Sequence, residues 1–486
     1  MRKRRDFFWI RSCRKTYDRA QGKFSFNIQY STAVKLSPRT TAVAEAFGLG
    51  VDEEHTFTVL DTELKIRPND IVYVTGDSGS GKSVLLRAIK QDLGPEALDI
   101  ADVQVEKDKP LIETVGETLE EGLQLLAKVG LSDAFLFLRT FNELSDGQKY
   151  RYRIAKLMES KAQFWILDEF AATLDRDTAK IVSFNLQKLA RQESRCVIAA
   201  TTHSDLAWDL NPDVHVHKRF GKEIEVSYGR IHGRIYGRKK TSGECSLVRE
   251  MHVEEGSIKD WNGLASFHYR SHRVPAPRKI FCLKRGAREL CGVIVYSYPA
   301  STSFGRRLMM PKMSMKEMNL KLSSISRVVV HPIYRTVGLG SKLIRDTLSL
   351  AGTENVEMSA VMAKYNPFAE KAGMTRVAIQ DPPKEALKVL EVLKKLGFNE
   401  ELLGSSRHVN EKLEAFSPKE IVELRETFSR NRHMRFSKSF SYHMPYGTVS
   451  VYRREIKNAS LEKLGVLIRI CGFLLQSKVY LFWRRA

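Results

Sequence analysis

The chain runs to 486 residues, 43% hydrophobic and 28% charged, a length that predicts about two to four domains and a composition that excludes wholesale disorder. Its net charge of +22 is uneven: residues 1–50 carry a surplus of eight cations, 51–228 a surplus of nine anions, 229–400 a surplus of fifteen cations and 401–486 a surplus of eight cations. Such a field points to a polyanionic partner, nucleic acid (DNA or RNA) foremost, with an anionic membrane surface or an acidic protein as alternatives and a solvated basic face as the plain reading.

The stretch Met1–Arg11 mixes cations with Phe7, Phe8 and Trp9, which suits phosphate contact with base stacking, or equally a basic tail. Residues 1–45 are read as a basic N-terminal extension. The apolar runs Thr56–Leu60 and Ile71–Thr75 predict strands, the second ending in a glycine-rich loop, and from Val84 the pattern turns helical.

That loop, Gly76-Asp77-Ser78-Gly79-Ser80-Gly81-Lys82-Ser83, matches GxxxxGK[ST] between a strand and a helix. Glycines let backbone N–H groups curl around a β-phosphate, Lys82 reaches the β- and γ-oxygens, and Ser83 offers a hydroxyl to Mg²⁺. Further on, the strand Phe164-Trp165-Ile166-Leu167 delivers Asp168 to the magnesium shell and Glu169 to the attacking water. An ordinary acidic strand end is the competing reading of that pair alone.

Between these motifs, Leu144-Ser145-Asp146-Gly147-Gln148-Lys149 resembles the LSGGQ signature of the ABC ATPases. Other parts fall in that family's order: Gln104 resembles the Q-loop glutamine, Ala172–Asp175 the D-loop and His203 the switch histidine. The resemblance implies an ABC-type ATPase domain over residues 46–228 that binds ATP and Mg²⁺. Gln104 and Asp168 join Ser83 at the metal, Glu169 and His203 act in catalysis, Gln148 and Asp175 belong to the nucleotide site, and Ser145 and Gly147 face the γ-phosphate across an interface, so an ATP-dependent homodimer or a paired homologue is expected. Two departures stand out. Asp146 replaces a glycine, and the segment from Gln104 to Ser145 is short for docking on transmembrane partners. Phe57 and His55 are the candidates for adenine stacking.

Residues 229–245 are rich in Gly and Arg and read as a linker. Strands are predicted at Lys279–Leu283, Cys291–Tyr298, Ile325–Val330 and Val356–Met362, with a helix from Gly340. The segment Ser326–Ile344 contains Arg335-x-x-Gly338-x-Gly340, which resembles the acyl-CoA pyrophosphate loop of the GNAT acetyltransferases, and Tyr365–Met374 resembles that family's closing segment. The resemblance implies a GNAT fold over 246–382, with acetyl-CoA held by Val328, Val330, Arg335, Thr336, Val337, Gly338, Leu339, Gly340 and Ser341. The position where many members carry a proton-donating tyrosine holds Ala369, and Tyr365, one helical turn earlier, is the substitute candidate. His268, Arg270, His272, Arg273, Arg306 and Arg307 gather near the expected acceptor side, either as a phosphate-binding group with His268 as base or as a solvated patch.

Residues 383–486 read as mostly helical, with Leu and Val at helical spacing over Ala386–Leu396. The apolar run Leu464–Leu475, broken by Arg469, falls short of the ~20 residues of a membrane span. Cys13, Cys196, Cys245, Cys282, Cys291 and Cys471 form no CxxC pair, which argues against structural zinc and, with no secretory leader in view, predicts a cytoplasmic protein. The expected fold class is α/β: a P-loop ABC-type ATPase domain, then an α/β GNAT acyltransferase-like domain and a helical C-terminal extension. This order resembles a microbial group described as an ABC-type ATPase fused to a predicted acetyltransferase. It implies ATP hydrolysis coupled to N-acyl transfer onto nucleic acid or nucleoprotein; the alternatives are a nucleic-acid clamp whose GNAT half only senses acyl-CoA, and a protein lysine acetyltransferase.

Overall fold

From Lys23 onward every second side chain is apolar, and Phe24, Phe26 and Ile28 are all buried, the period-two burial of a sheet with one face on a core. In the computed structural model, which describes residues 8–32, 35–49, 55–131, 134–231, 234–235, 243–268, 274–364, 366–431, 449–475 and 477–485, this segment is the middle of an antiparallel sheet. Its strands are β1 (Phe8–Asp18), β2 (Lys23–Thr32) and β3 (His55–Lys65). Within the expected N-terminal extension, residues 8–18 and 23–32 are thus strands, with the alternating apolar side chains of β2 buried.

A six-stranded sheet follows, built from β4 (Ile71–Thr75), β5 (Ala97–Asp99), β6 (Phe164–Leu167), β7 (Cys196–Ala200), β8 (Val214–Lys218) and β9 (Ile224–Tyr228) in the order β5-β6-β7-β4-β8-β9. All neighbours are parallel except the antiparallel pair β8–β9. β4, β6 and β7 are buried at every position, as a sheet covered on both faces requires. Tyr73, Trp165, Leu167 and Val197 enter one apolar cluster, whereas Val72, Val74, Phe164 and Ile198 enter another with Phe24, Leu60 and Leu64 of the first sheet. Three helices position the chemistry: α1 (Lys82–Leu93), α2 (Asp146–Glu159) and α3 (Arg176–Gln192).

In the expected linker, β10 (Arg230–Ile231) and β11 (Arg234–Ile235) pair as a short ribbon. A seven-stranded sheet then comprises β12 (Met251–Glu255), β13 (Pro277–Arg285), β14 (Glu289–Ser297), β15 (Leu322–Val330), β16 (Asn355–Ala360), β17 (Thr375–Gln380) and β18 (Lys478–Arg484), in the order β12-β13-β14-β15-β16-β18-β17. β15 and β16 are parallel, and their pairing spans Leu322↔Asn355 to Ile325↔Met358 although β15 continues to Val330. After β15 the chain turns into α4 (Leu339–Thr347).

The expected boundary at residue 382 does not close this sheet, because its β18 comes from the end of the chain, between β16 and β17. The five helices Lys384–Lys395, Ser406–Glu414, Pro418–Arg430, Val449–Lys457 and Leu461–Leu474 share one apolar cluster including Leu393, Leu413, Phe428, Tyr452 and Ile468. Among the described residues no helix is long and apolar enough to cross a membrane.

The chain divides into two compact units: residues 1–273 with 280–294 and 328–343, and residues 274–279 with 295–327 and 344–486. The first unit thus gathers the glycine-rich loop, α2, α3 and the Arg335 loop. In the second, Arg306 grips Glu357 through two bonds, Nε at 2.9 Å and Nη2 at 2.6 Å, while Tyr480 donates to the same carboxylate at 2.8 Å. Arg306 is only 8% exposed, so it serves as a buried structural cation and does not join an acceptor-binding patch.

Candidate functional site

The strand-loop-helix at residues 71–93 builds an anion cradle. Gly76 sits at φ +139, and a Cβ there would lie 2.0 Å from the Lys218 carbonyl oxygen, so only glycine lets the loop pass. Lys82 Nζ donates to the carbonyls of Gly76 and Asp77, both at 2.7 Å. Burial lowers its pKa, against the opposing carboxylates of Asp168 and Asp77. Ser80 Oγ is buried with no hydrogen-bond partner. A cradle that excludes a Cβ and an unsatisfied buried hydroxyl both fit a phosphate bound by Gly76–Ser83. Asp168, at the end of β6, is close enough for its charge to act on Lys82. The Asp168 carboxylate accepts from the Glu169 N–H at 2.9 Å, and Glu169 and Ala171 hold φ values of +50° and +59°, strained turns of the kind kept at functional positions.

His203 follows β7. Arg176 Nη1 donates to its Nδ1 at 2.7 Å, and because a guanidinium has no acceptor, the ring proton of the neutral imidazole belongs on Nε2. That Nε2 is buried without a partner, a donor suited to a phosphate oxygen. Gln104, by contrast, donates its side chain to the Asp102 carbonyl at 3.3 Å, so its expected metal contact is not preformed. Phe57 is exposed on β3, and the side chain of His55 lies outside the described residues, as does Tyr365.

The signature forms the start of α2. Ser145 caps it, with Gln148 N–H donating to Ser145 Oγ at 3.4 Å and Ser145 N–H donating to Gln148 Oε1 at 3.0 Å, a capping box that fixes both side chains. Asp146 points to solvent in the first turn, 3.9 Å from Lys149. Gly147 packs where a Cβ would meet Leu174 of the D-loop at 3.2 Å. Asp175 caps α3 by accepting from Thr178 N–H at 2.9 Å; burial works to raise its carboxyl, but the hydrogen bonds outweigh it and hold the pKa below the usual range.

Ser145, Gly147, Gln148 and Asp175 line one cavity of about 310 Å³ together with Pro332, Ile333 and Arg335. These two groups fall in separate expected domains, 46–228 and 246–382. Within the cavity, Arg151, which the motifs did not single out, donates to the Gly147 and Gly130 carbonyls at 3.3 and 3.2 Å. Arg335 donates to the Val330 and Phe267 carbonyls at 3.2 and 3.4 Å. The rest of its loop follows: Thr336 at φ +77 and Gly338 at φ +90, with nothing within 4 Å of a Cβ at Gly338, then Val337 buried and Leu339, Gly340 and Ser341 opening α4. Open space before helical N–H groups fits a pyrophosphate. Ala369 is fully buried, so no side chain there reaches a ligand. His268 lies edge-on to Trp261 with ring centres 6.0 Å apart; Arg270, His272 and Arg273 lie outside the described residues.

No protein-family model matches the chain. It is 25% identical over 227 residues to the ribosome protection protein VmlR of Bacillus subtilis, covering 44% of this chain and 39% of that one. It is 30% identical over 177 residues to the cytochrome c biogenesis ATP-binding export protein CcmA of Bartonella henselae, covering 31% of this chain and 83% of that protein. To the protein of the same description from Gluconobacter oxydans it is 34% identical over 166 residues, covering 31% and 77%. With the phosphate cradle, the acidic strand end, the signature and the D-loop in order on a mostly parallel sheet, the chain belongs to the ABC ATP-binding proteins.

Proposed function

We propose that the chain hydrolyses ATP as a pair of copies and couples this to acetyl-CoA-dependent N-acyl transfer onto nucleic acid or a nucleoprotein. The observation that carries this reading is that the phosphate cradle, the signature and the Arg335 loop belong to one compact unit. Residues 46–228 supply the nucleotide machinery. Gly76–Ser83 bind the phosphates, Ser83, Asp168 and Gln104 hold Mg²⁺, which offsets phosphate charge, Glu169 orients the attacking water, and the Nε2–H of His203 donates to the terminal phosphate. Ser145, Gly147, Gln148 and Asp175 meet the nucleotide of the second copy.

Residues 246–382, completed by β18, supply the transferase. Main-chain groups of Val328 and Val330 hold the extended arm of the cofactor and Arg335–Ser341 its pyrophosphate. An acceptor amine nitrogen attacks the thioester carbonyl, the C–N bond forms as the C–S bond breaks, the amine's proton passes to His268 as base, and Tyr365 protonates the departing thiolate. The basic surplus in 229–400 supports a polyanionic acceptor, and a likeness to a ribosome protection protein supports a nucleoprotein.

A second reading is favoured by the buried Ala369: an ATP-dependent nucleic-acid clamp whose second half senses acyl-CoA without transferring it. Labelled acetyl-CoA incubated with the protein and pools of RNA, DNA and protein, with and without ATP, separates them. Label in RNA or DNA, or in a nucleoprotein, supports transfer. Label in free protein alone indicates a lysine acetyltransferase, and bound acetyl-CoA with no labelled pool leaves the sensor.

A further inference from the structure

Helix α3 holds two loops that the sequence assigns to different ligands. At its N-terminus Asp175 lines the cavity with Ser145 and Gly147. Within the first turn, Asp177 pairs with Arg285, whose Nη1 also donates to the Tyr334 hydroxyl at 3.4 Å and whose Nε donates to Glu250 at 2.6 Å. Further along, Asn185 Nδ2 donates to Thr336 Oγ1 at 2.6 Å. Tyr334 and Thr336 flank Arg335, so α3 holds the loop directly on the Thr336 side and, on the Tyr334 side, only through Arg285. Thr336 holds φ +77, a conformation a β-branched residue keeps only where its surroundings impose it.

We propose that Arg335 is shared between two anions and makes their binding competitive. From the wall of the signature cavity it answers the terminal phosphate of ATP carried by a second copy of the chain; as the first residue of its own loop it answers the pyrophosphate of acyl-CoA. The cavity's other arginine, Arg151, is occupied in bracing the Gly130 and Gly147 carbonyls. Two of Arg335's own hydrogen bonds go to neutral carbonyls at 3.2 and 3.4 Å, which a phosphate oxygen outcompetes as a charged acceptor. One guanidinium cannot serve two phosphate groups at full strength, and the α3 tethers prevent the loop from shifting to satisfy both. Acyl-CoA therefore loads while the copies are apart, and ATP-driven pairing weakens its hold; by linkage, acyl-CoA weakens ATP-driven pairing by the same factor.

This inference rests on the nucleotide and acyl-CoA reading above. The test is calorimetric titration of CoA into the full chain carrying Glu169→Gln, with and without saturating Mg-ATP, alongside gel filtration for pairing. Competition predicts that ATP raises the CoA Kd at least about tenfold. In the double variant with Asn185→Ala, which loses a tether but no ligand contact, CoA still binds and the ATP effect falls below about threefold. A CoA affinity unmoved by ATP in a protein that pairs overturns the competition and leaves both sites standing. No CoA binding in either condition overturns the acyl-CoA reading and the competition together. The Glu169→Gln comparison decides the matter whether or not the Asn185 variant folds.

Discussion

Glu169 stands at φ +50 at the end of β6, with Asp168 turned to accept its N–H, so a strained turn sets its position, with no side-chain partner for its carboxylate among the described residues. Glu169→Gln keeps the shape and removes the base: ATP still binds, turnover falls at least about a hundredfold, and the ATP-bound pair persists in gel filtration. A monomer in the presence of ATP counts against the pairing. Gly76→Ala meets the Lys218 carbonyl at 2.0 Å, and the loop must open to admit it; ATP binding is lost, and stability falls by about 2–4 kcal/mol in a denaturant melt. Glu357→Gln strands the buried Arg306 cation, with an expected loss of about 3 kcal/mol. Replacing both partners with methionine costs less, because no charge is left uncompensated; a urea titration of the two variants reads the difference.

At the scale of elements, α2 shows how a departure from the family pattern is tolerated. Asp146 occupies the first turn, faces solvent and lies near Lys149, a favourable place for a carboxylate at a helix N-terminus. The same carboxylate lies between Ser145 and Gly147 in the chain, the residues proposed to meet another copy's nucleotide. Asp146→Gly is expected to lower the melting temperature slightly and to raise steady-state ATP turnover; a turnover that falls would show the acid to be needed. Elements with a strong local period were legible: Ile71–Thr75, Lys279–Leu283 within β13 and the helix near Ala386–Leu396 lie where the pattern put them. β1 and β18 were not. The cations near the start mask the alternation that follows in β2, and Val479–Phe482 is a short apolar run that becomes a strand only through β16 and β17, roughly a hundred residues or more earlier.

For the whole molecule, the positive surplus outside residues 51–228 makes a direct prediction: nucleic-acid affinity falls steeply as salt rises, by a factor of about 10³ or more between 50 and 200 mM if six or more phosphates are contacted. Filter binding with RNA and DNA at several salt concentrations measures the slope, and salt-insensitive or absent binding removes the nucleic-acid part of the proposed function. The nucleotide-binding motifs were legible in the chain alone because each is local: within one phosphate loop, strand-end acid pair or helix cap the residues are close neighbours, and their spacing carries the local geometry. Folding alone brings Ser145, Asp175 and Arg335 to one cavity, Asn185 to the Arg335 loop, Asp177 to Arg285, and Arg306 to Glu357. Those pairings join segments far apart in the chain through single hydrogen bonds and ion pairs, and they leave no period, motif or composition by which a sequence announces them.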